Sequence, residues 1–249
     1  MSGNPPRRWT FPRVLAHRGG GSLAPENTLA GLQTAAGQGF RGVEFDAKLT
    51  RDGVAILMHD DTLDRTTNGA GPTAQADWAA LEHLDAGGRY APRFRGEPIP
   101  TLAAALKLCA QLRLWANVEI KPCPGRESET GTAVAHQVLE HLPRAGALPL
   151  LSSFSPAALE AARDVAPQLL RGLLVERAPD DWCEQMQRLG CFSLHCEQRA
   201  ATAALRRDAA AAGYPMLCYT VNRPGVARRL LSLGVSAIVT DRLDLIAPA

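Results

Sequence analysis

The sequence predicts an α/β fold, a TIM (β/α)8 barrel, on three observations. Short apolar runs alternate with helical patterns along the chain, and eight of those runs begin near residues 14, 42, 114, 148, 171, 191, 215 and 236. The 249 residues fall within the ~200–250 that such a barrel takes as a single domain. Ionisable residues gather at the ends of the early runs, where a barrel carries its chemistry. An open doubly wound sheet shares the alternation, but no G-x-G-x-x-G follows the first run, which argues mildly against its dinucleotide-binding form.

In chain order, residues 1–12 are polar and Pro-rich and read as a loose tail before one domain over 13–249. Arg13–His17 is a short buried strand, and Gly19–Ser22 a loop. Pro25 is expected to open a helix carrying Leu29, Leu32 and Ala36 on one face, ended by Gly37 and Gly39. Val43–Leu49 reads as a strand. Thr50-Arg51-Asp52-Gly53 is a hairpin turn, because four residues cannot hold a parallel crossover. If Leu49 faces Val54 across it, His59 lies opposite Glu44. Residues 60–98 are long, polar and Gly-rich, an insertion of a length that is usually functional. Regular alternation then resumes. Helices are expected from Thr101, over 130–142, from Pro156 to Val165, over 179–189, 200–212 and 224–233. Strands fall at 114–121, 148–154, 171–176, 191–196, 215–221 and 236–240.

Composition excludes several classes. Net charge is +2 and the arginines form no basic run, so a nucleic-acid partner is not expected. No stretch of 18 apolar residues occurs, so no membrane span is expected. The N-terminus lacks an apolar signal core, and the six cysteines show no C-x-x-C. These features fit a reducing, cytoplasmic setting.

The chemistry is expected at strand ends. Residues i and i+2 of a strand share a face, so Glu44 and Asp46 point together, as do Glu119 and Lys121. Three converging carboxylates repel one another unless a cation sits among them, and an oxygen-only ligand set favours Mg²⁺ or Ca²⁺. Arg18 and Lys121 add fixed positive charge, while His17 and His59 can move protons near neutral pH. The set suits an anionic phosphate. Singly, each residue has an ordinary structural explanation; their conjunction at strand ends carries the functional reading. His195 is a weaker candidate. Gly19–Gly21 is either a phosphate-approaching backbone or a plain loop.

The matching text is extensive: Ala16-His17-Arg18-Gly19, Ala24-Pro25-Glu26-Asn27-Thr28, Val43-Glu44-Phe45-Asp46, His59-Asp60, Leu63-Asp64-Arg65-Thr66-Thr67-Asn68-Gly69, Val118-Glu119-Ile120-Lys121, Tyr219-Thr220-Val221-Asn222 and Thr240-Asp241-Arg242. In these the chain resembles the glycerophosphodiester phosphodiesterase family, most of all its short cytosolic bacterial members. The resemblance implies a barrel with residues 60–98 inserted over the substrate end. It implies a divalent metal on Glu44, Asp46 and Glu119, His17 and His59 as the acid–base pair, and Arg18 and Lys121 on phosphate. A small-molecule glycerophosphodiester would be cleaved to glycerol 3-phosphate and an alcohol, through attack of the glycerol 2-hydroxyl. Glu26 is assigned to supporting the Arg18 loop from a helix start. Tyr219 stands where many relatives carry Trp, and can stack on glycerol or the leaving group with a polar tip added. Two alternatives are a lysophospholipase D-type activity, which needs an apolar channel that residues 60–98 poorly supply, and a catalytically silent binding barrel.

Overall fold

The computed structural model describes residues 7–142 and 147–248. Its elements, in order, are β1 (Val14–Ala16), α1 (Leu29–Gly37), β2 (Gly42–Leu49), β3 (Ala55–Leu57), the short α2 (Trp78–Leu81), α3 (Leu102–Leu112), β4 (Trp115–Ile120), α4 (Glu127–Glu140), β5 (Leu150–Ser153), α5 (Pro156–Val165), β6 (Leu170–Val175), α6 (Trp182–Arg188), β7 (Ser193–Glu197), α7 (Ala203–Ala211), β8 (Met216–Tyr219), α8 (Pro224–Ser232) and β9 (Ala237–Thr240). Every strand except β3 pairs in parallel, in the order β1-β9-β8-β7-β6-β5-β4-β2, and β1–β2 pairing closes the ring. The fold is therefore an eight-stranded parallel barrel with one extra antiparallel strand.

Alternation along each strand divides its side chains between two cores. On β2, Val43, Phe45, Ala47 and Leu49 join the apolar layer beneath the helices, so Glu44, Asp46 and Lys48 face the other way. On β4, Ala116, Val118 and Ile120 do the same, leaving Asn117 and Glu119 inward. The lower lumen is filled by Leu15, Trp115, Leu150, Leu217, Ala237 and Val239. Helix starts follow local chemistry: Thr101, Ser155 and Thr202 each accept a backbone N–H of the first turn on a side-chain oxygen, satisfying a donor that the helix leaves free.

The expected loose tail does not hold for Trp9 and Phe11. Residues 1–6 lie outside the described residues. Trp9 and Phe11 close the lower end of the barrel: Phe11 stacks on Trp115 at 4.5 Å between ring centroids, and Trp9 meets Trp115 edge-on at 5.7 Å. Too few residues separate these aromatics from β1 for them to wander, and burial of a large ring is favourable. Phe11→Ala should lower unfolding free energy by about 2 kcal/mol, less than the roughly 3–5 kcal/mol of a fully buried aromatic because the ring is half-buried. Denaturant titration measures this; an unchanged midpoint would return the segment to a loose tail.

Two sequence expectations need correction. The hairpin pairs Ala47 with Leu57, Lys48 with Ile56 and Leu49 with Ala55, one residue out of the expected register. Val54 is taken into the loop. The Thr50 N–H donates to the Val54 carbonyl, the Val54 N–H returns to Thr50 Oγ1, and Gly53 adopts φ +82°. A residue at positive φ beside a hairpin turn adds one residue to one strand. His59 therefore does not lie opposite Glu44. Second, α1 begins at Leu29, capped by Thr28, not at Pro25. Asn27 holds a left-handed backbone, φ +55°, which no helix accommodates, so Glu26 sits in the preceding loop.

The stretch 60–98 lies across the first βα loop. Arg65 donates to Glu26, the Tyr90 hydroxyl to the Ser22 carbonyl, and Glu97 accepts from the Ala30 N–H. A separate small core of Ile56, Met58, Leu63, Leu81, Ala86 and Ile99 holds it. Among the described residues, no helix is long and apolar enough to cross a membrane.

Candidate active site

Parallel pairing sets the site. Asp46 lies beside Glu119 in the β2–β4 register, and Glu44 beside Asn117. Inward facing and this register bring one oxygen each from Glu44, Asp46 and Glu119 within 4.8 Å of one another. Mg²⁺ and Ca²⁺ bind oxygens at roughly 2.0–2.6 Å, so two ligands of one ion can lie that far apart. The residues present fit such an ion: an all-oxygen, buried donor set. Their proton affinities say the same. Burial, then the charge of Asp46, pushes Glu44 up to about 7 and Glu119 up to about 8. Burial pushes Asp46 upward too, but Lys121 and Arg18, then His59 and Asn27, bring it below its ordinary value. Two carboxyls that resist ionisation beside a third that is charged form a site a divalent cation completes.

Glu44 and Glu119 are raised above 4.5 in the folded state, so their contribution to the stability of the metal-free protein is fully present below pH 4.5 and is lost as pH rises through 7–8. Cation binding requires their ionised forms. Added Mg²⁺ or Ca²⁺ at a hundredfold excess over Kd should raise Tm by roughly 5–10 °C at pH 8 and by clearly less at pH 6. Equal shifts at the two pH values would remove these carboxyls from the binding site.

The two histidines flank the cluster and are held alike. His17 Nδ1 lies 2.6 Å from Asp241 Oδ1, and its Nε2 is 3.8 Å from Glu44 Oε2. His59 Nδ1 lies 2.7 Å from Asp60 Oδ1. An aspartate at Nδ1 fixes the ring and directs Nε2 inward. Their environments differ. For His17, burial is outweighed by the Asp241 hydrogen bond and by Glu44, and its pKa is raised. For His59, burial prevails over Asp46 and Asp60, and its pKa is lowered.

Arg18 adopts φ +47°, held because its N–H donates to Glu44 Oε2 at 3.1 Å while Gly19 donates to the Glu44 carbonyl. Its Nη1 donates to Glu26 at 2.9 Å, its Nε is 3.6 Å from Asp46, and that buried Nε has no hydrogen-bond partner. Lys121 Nζ donates to Glu119 at 2.9 Å and lies 3.5 Å from Asp46. Glu26 supports Arg18 directly, but from a loop rather than a helix start, and it also binds Arg65, which in turn grips Asp60. One chain of charges thereby joins Arg18 to His59 through Glu26, Arg65 and Asp60.

Other expectations come out differently. Gly19, Gly20 and Gly21 give their N–H groups to the carbonyls of Glu44, Arg18 and His17, so they hold the loop and do not cradle a ligand. A Cβ on Gly21 would fall 2.4 Å from the Asp241 carbonyl oxygen, which is how the loop comes close enough for the His17–Asp241 bond. Tyr219 has no free polar tip, since its hydroxyl donates to the Val175 carbonyl at 2.8 Å. His195 is wholly buried inside the barrel against Ser193 Oγ at 2.8 Å, held neutral by burial at about 3, and makes no contact with the carboxylate cluster. Asp60, Asp241, Asn27, Asn222 and Arg65 belong to the site although none is singled out by sequence reasoning. Asn27 binds Asp46 both ways, side chain to side chain at 2.8 Å and accepting its N–H at 3.0 Å, and Asn222 donates to Asp241 at 2.7 Å. The available signal was that each lies in one of the matched motifs.

A parallel barrel with carboxylates, two aspartate-held histidines and two cations at its C-terminal mouth is the architecture of a phosphoric ester hydrolase. Comparison with known proteins gives the family. The model of the glycerophosphoryl diester phosphodiesterase family matches residues 17–245. A glycerophosphodiester phosphodiesterase of Caldanaerobacter subterraneus subsp. tengcongensis is 32% identical over 92% of this chain and 93% of its own. An Oleispira antarctica phosphodiesterase, solved in complex with the product sn-glycerol-3-phosphate, superposes with a TM-score of 0.90 at 38% identity, covering 93% of each chain. A glycerophosphodiester phosphodiesterase from Agrobacterium tumefaciens str. C58 does so at 0.77 and 27%, over 94% of this chain and 97% of that one. The chain belongs to the glycerophosphoryl diester phosphodiesterase family and is an enzyme of that kind.

Proposed function

We propose that this protein hydrolyses glycerophosphodiesters to sn-glycerol 3-phosphate and a free alcohol, using a divalent cation and a histidine pair. The observation that carries this is the arrangement of His17 and His59, each held at Nδ1 by an aspartate, on either side of a buried three-carboxylate cluster. The bound product of the Oleispira relative supports the substrate class.

Glu44, Asp46 and Glu119 would hold the cation, whose contribution is Lewis-acid stabilisation of charge developing on phosphate oxygens. Arg18 and Lys121 orient the phosphate and offset the same charge. His59, kept neutral by burial, accepts at Nε2 the proton of the glycerol 2-hydroxyl as that oxygen forms its bond to phosphorus. His17, whose cationic form Asp241 and Glu44 favour, donates its proton to the departing alkoxide as the phosphorus–oxygen bond to the leaving alcohol breaks. The product of that step is a cyclic glycerol phosphate. In the second step the roles reverse: His17 takes a proton from water as it attacks phosphorus, and His59 returns one to the 2-oxygen. Glu26 positions Arg18, and Tyr219 presents its ring face to the mouth.

The lysolipid alternative is not favoured: of the few large apolar residues in 60–98, Leu63 and Leu81 are buried in that segment's own small core and Trp78 and Leu84 pack against it. All six cysteines are unpaired, which supports a reducing, cytoplasmic setting. The test is release of glycerol 3-phosphate by the purified protein from glycerophosphocholine and glycerophosphoethanolamine, run beside lysophosphatidylcholine. Release from the first two is expected; cleavage of the lysolipid alone contradicts the proposal.

A further inference from the structure

The proposed chemistry engages the ends of β1, β2, β3 and β4. Across the ring, β6 and β7 stand diametrically opposite β1 and β2 in the strand order, and there the mouth opens into a cleft of about 920 Å³ to which nothing above gives a role. Its lining includes Phe154, Glu176, Asp180, Glu197, Asp208 and Tyr219. A smaller cavity of about 320 Å³, lined by Glu119, Lys121 and Phe154, adjoins it. Phe154 belongs to both, so a group leaving phosphate near Lys121 passes that ring into the cleft.

The two aromatics are set for a specific kind of ligand. Phe154 is 42% exposed, so its ring lies open at the mouth of the cleft. Its ring meets that of Tyr219 at 5.9 Å and 83°, with Lys121 Nζ 5.8 Å from its centroid. Tyr219, its hydroxyl committed to Val175, offers only its ring. The surrounding charge is negative. Four carboxylates line the cleft against two arginines, Arg177 and Arg199. Among the described residues Glu176 makes no side-chain hydrogen bond or ion pair, and Glu197 accepts only the Arg199 backbone N–H. Burial first, then Cys196, and after it Glu119, Glu176 and Glu197 hold the Tyr219 hydroxyl well above its ordinary pKa. Electron-rich ring faces beside uncompensated carboxylates attract an organic cation and give a neutral polyol nothing comparable.

We infer that this cleft is the subsite of the departing alcohol, and that it selects alcohols bearing a positively charged nitrogen. The inference rests on the phosphodiesterase reading and deepens it. The experiment compares kcat/KM for diesters that differ only in the alcohol: quaternary or primary ammonium against uncharged glycerol or inositol, for the wild type and for Glu176→Gln/Glu197→Gln. The wild type should prefer the cationic class about tenfold, the scale of a partly desolvated cation–π contact with added carboxylate attraction. The double variant should bring the ratio down towards one, mainly through KM of the cationic substrates. A separate calorimetric titration with tetramethylammonium should show binding that the double variant weakens. Equal turnover of both classes by the wild type, or a preference indifferent to the double substitution, overturns the subsite. Tetramethylammonium binding that depends on the two glutamates, with no diester turned over, upholds the cleft and overturns the phosphodiesterase reading instead.

Discussion

His59→Ala should lower kcat by about 10²–10⁴-fold with little change in KM and no loss of fold. The side chain is 29% exposed and bonded to its neighbour Asp60, so its removal opens no core cavity. His17→Ala should do the same on natural diesters, but the two variants should part on a glycerophosphodiester whose leaving group is p-nitrophenol. That group departs as a stable phenolate and needs no proton. His17→Ala should therefore recover most of its p-nitrophenol release, with the cyclic glycerol phosphate accumulating because the base of the second step is missing, while His59→Ala should not release p-nitrophenol. Identical losses on both substrates would remove the division of roles, and wild-type activity in either variant would remove the pair from the mechanism. The wild-type profile of kcat/KM against pH should be bell-shaped. A base with lowered pKa puts the acid limb below 6.5, and an acid with raised pKa puts the alkaline limb above it.

Asp46→Asn should abolish both turnover and cation-induced stabilisation. Asp46 lies at the centre of the site, bonded to Asn27, 3.6 Å from Arg18 and 3.5 Å from Lys121. Its charge is also the second-largest cause, after burial, that raises Glu44 and Glu119. Amide for carboxylate leaves the size unchanged and removes a ligand, and Lewis-acid stabilisation of several kcal/mol corresponds to a loss of about 10³-fold or more in kcat. The metal-free variant should fold about as well as the wild type, because Glu44 and Glu119 no longer face that charge. A variant that kept both its activity and its Tm response to Mg²⁺ would place the cation elsewhere.

Much of this was legible in the sequence because it depends on local period. The eight parallel strands follow from apolar runs, and the pairing of Glu44 with Asp46 and of Glu119 with Lys121 follows from the two-residue repeat of a strand. What was not legible depends on geometry that a period does not encode. The hairpin register turned on whether Val54 belongs to loop or strand, and one residue at positive φ decided it. The start of α1 turned on the left-handed backbone of Asn27, which Asp46 holds through hydrogen bonds. The partner of His17 is Asp241, 224 positions away; only the pairing of β1 with β9 brings them together. Asp60 was adjacent to His59 in the chain, yet adjacency alone does not say that a side chain turns back on its neighbour. Trp9 and Phe11 lay in a polar, Pro-rich stretch whose composition concealed two aromatics that plug the barrel.

A cation held by Glu44, Asp46 and Glu119 should be required for cleavage. The most direct test of that requirement is release of glycerol 3-phosphate by protein stripped with EDTA and then titrated with Mg²⁺ or Ca²⁺. No measurable release is expected from the stripped protein and full recovery at saturating cation, with the recovery absent in Asp46→Asn. Release that persists undiminished after stripping would contradict the requirement.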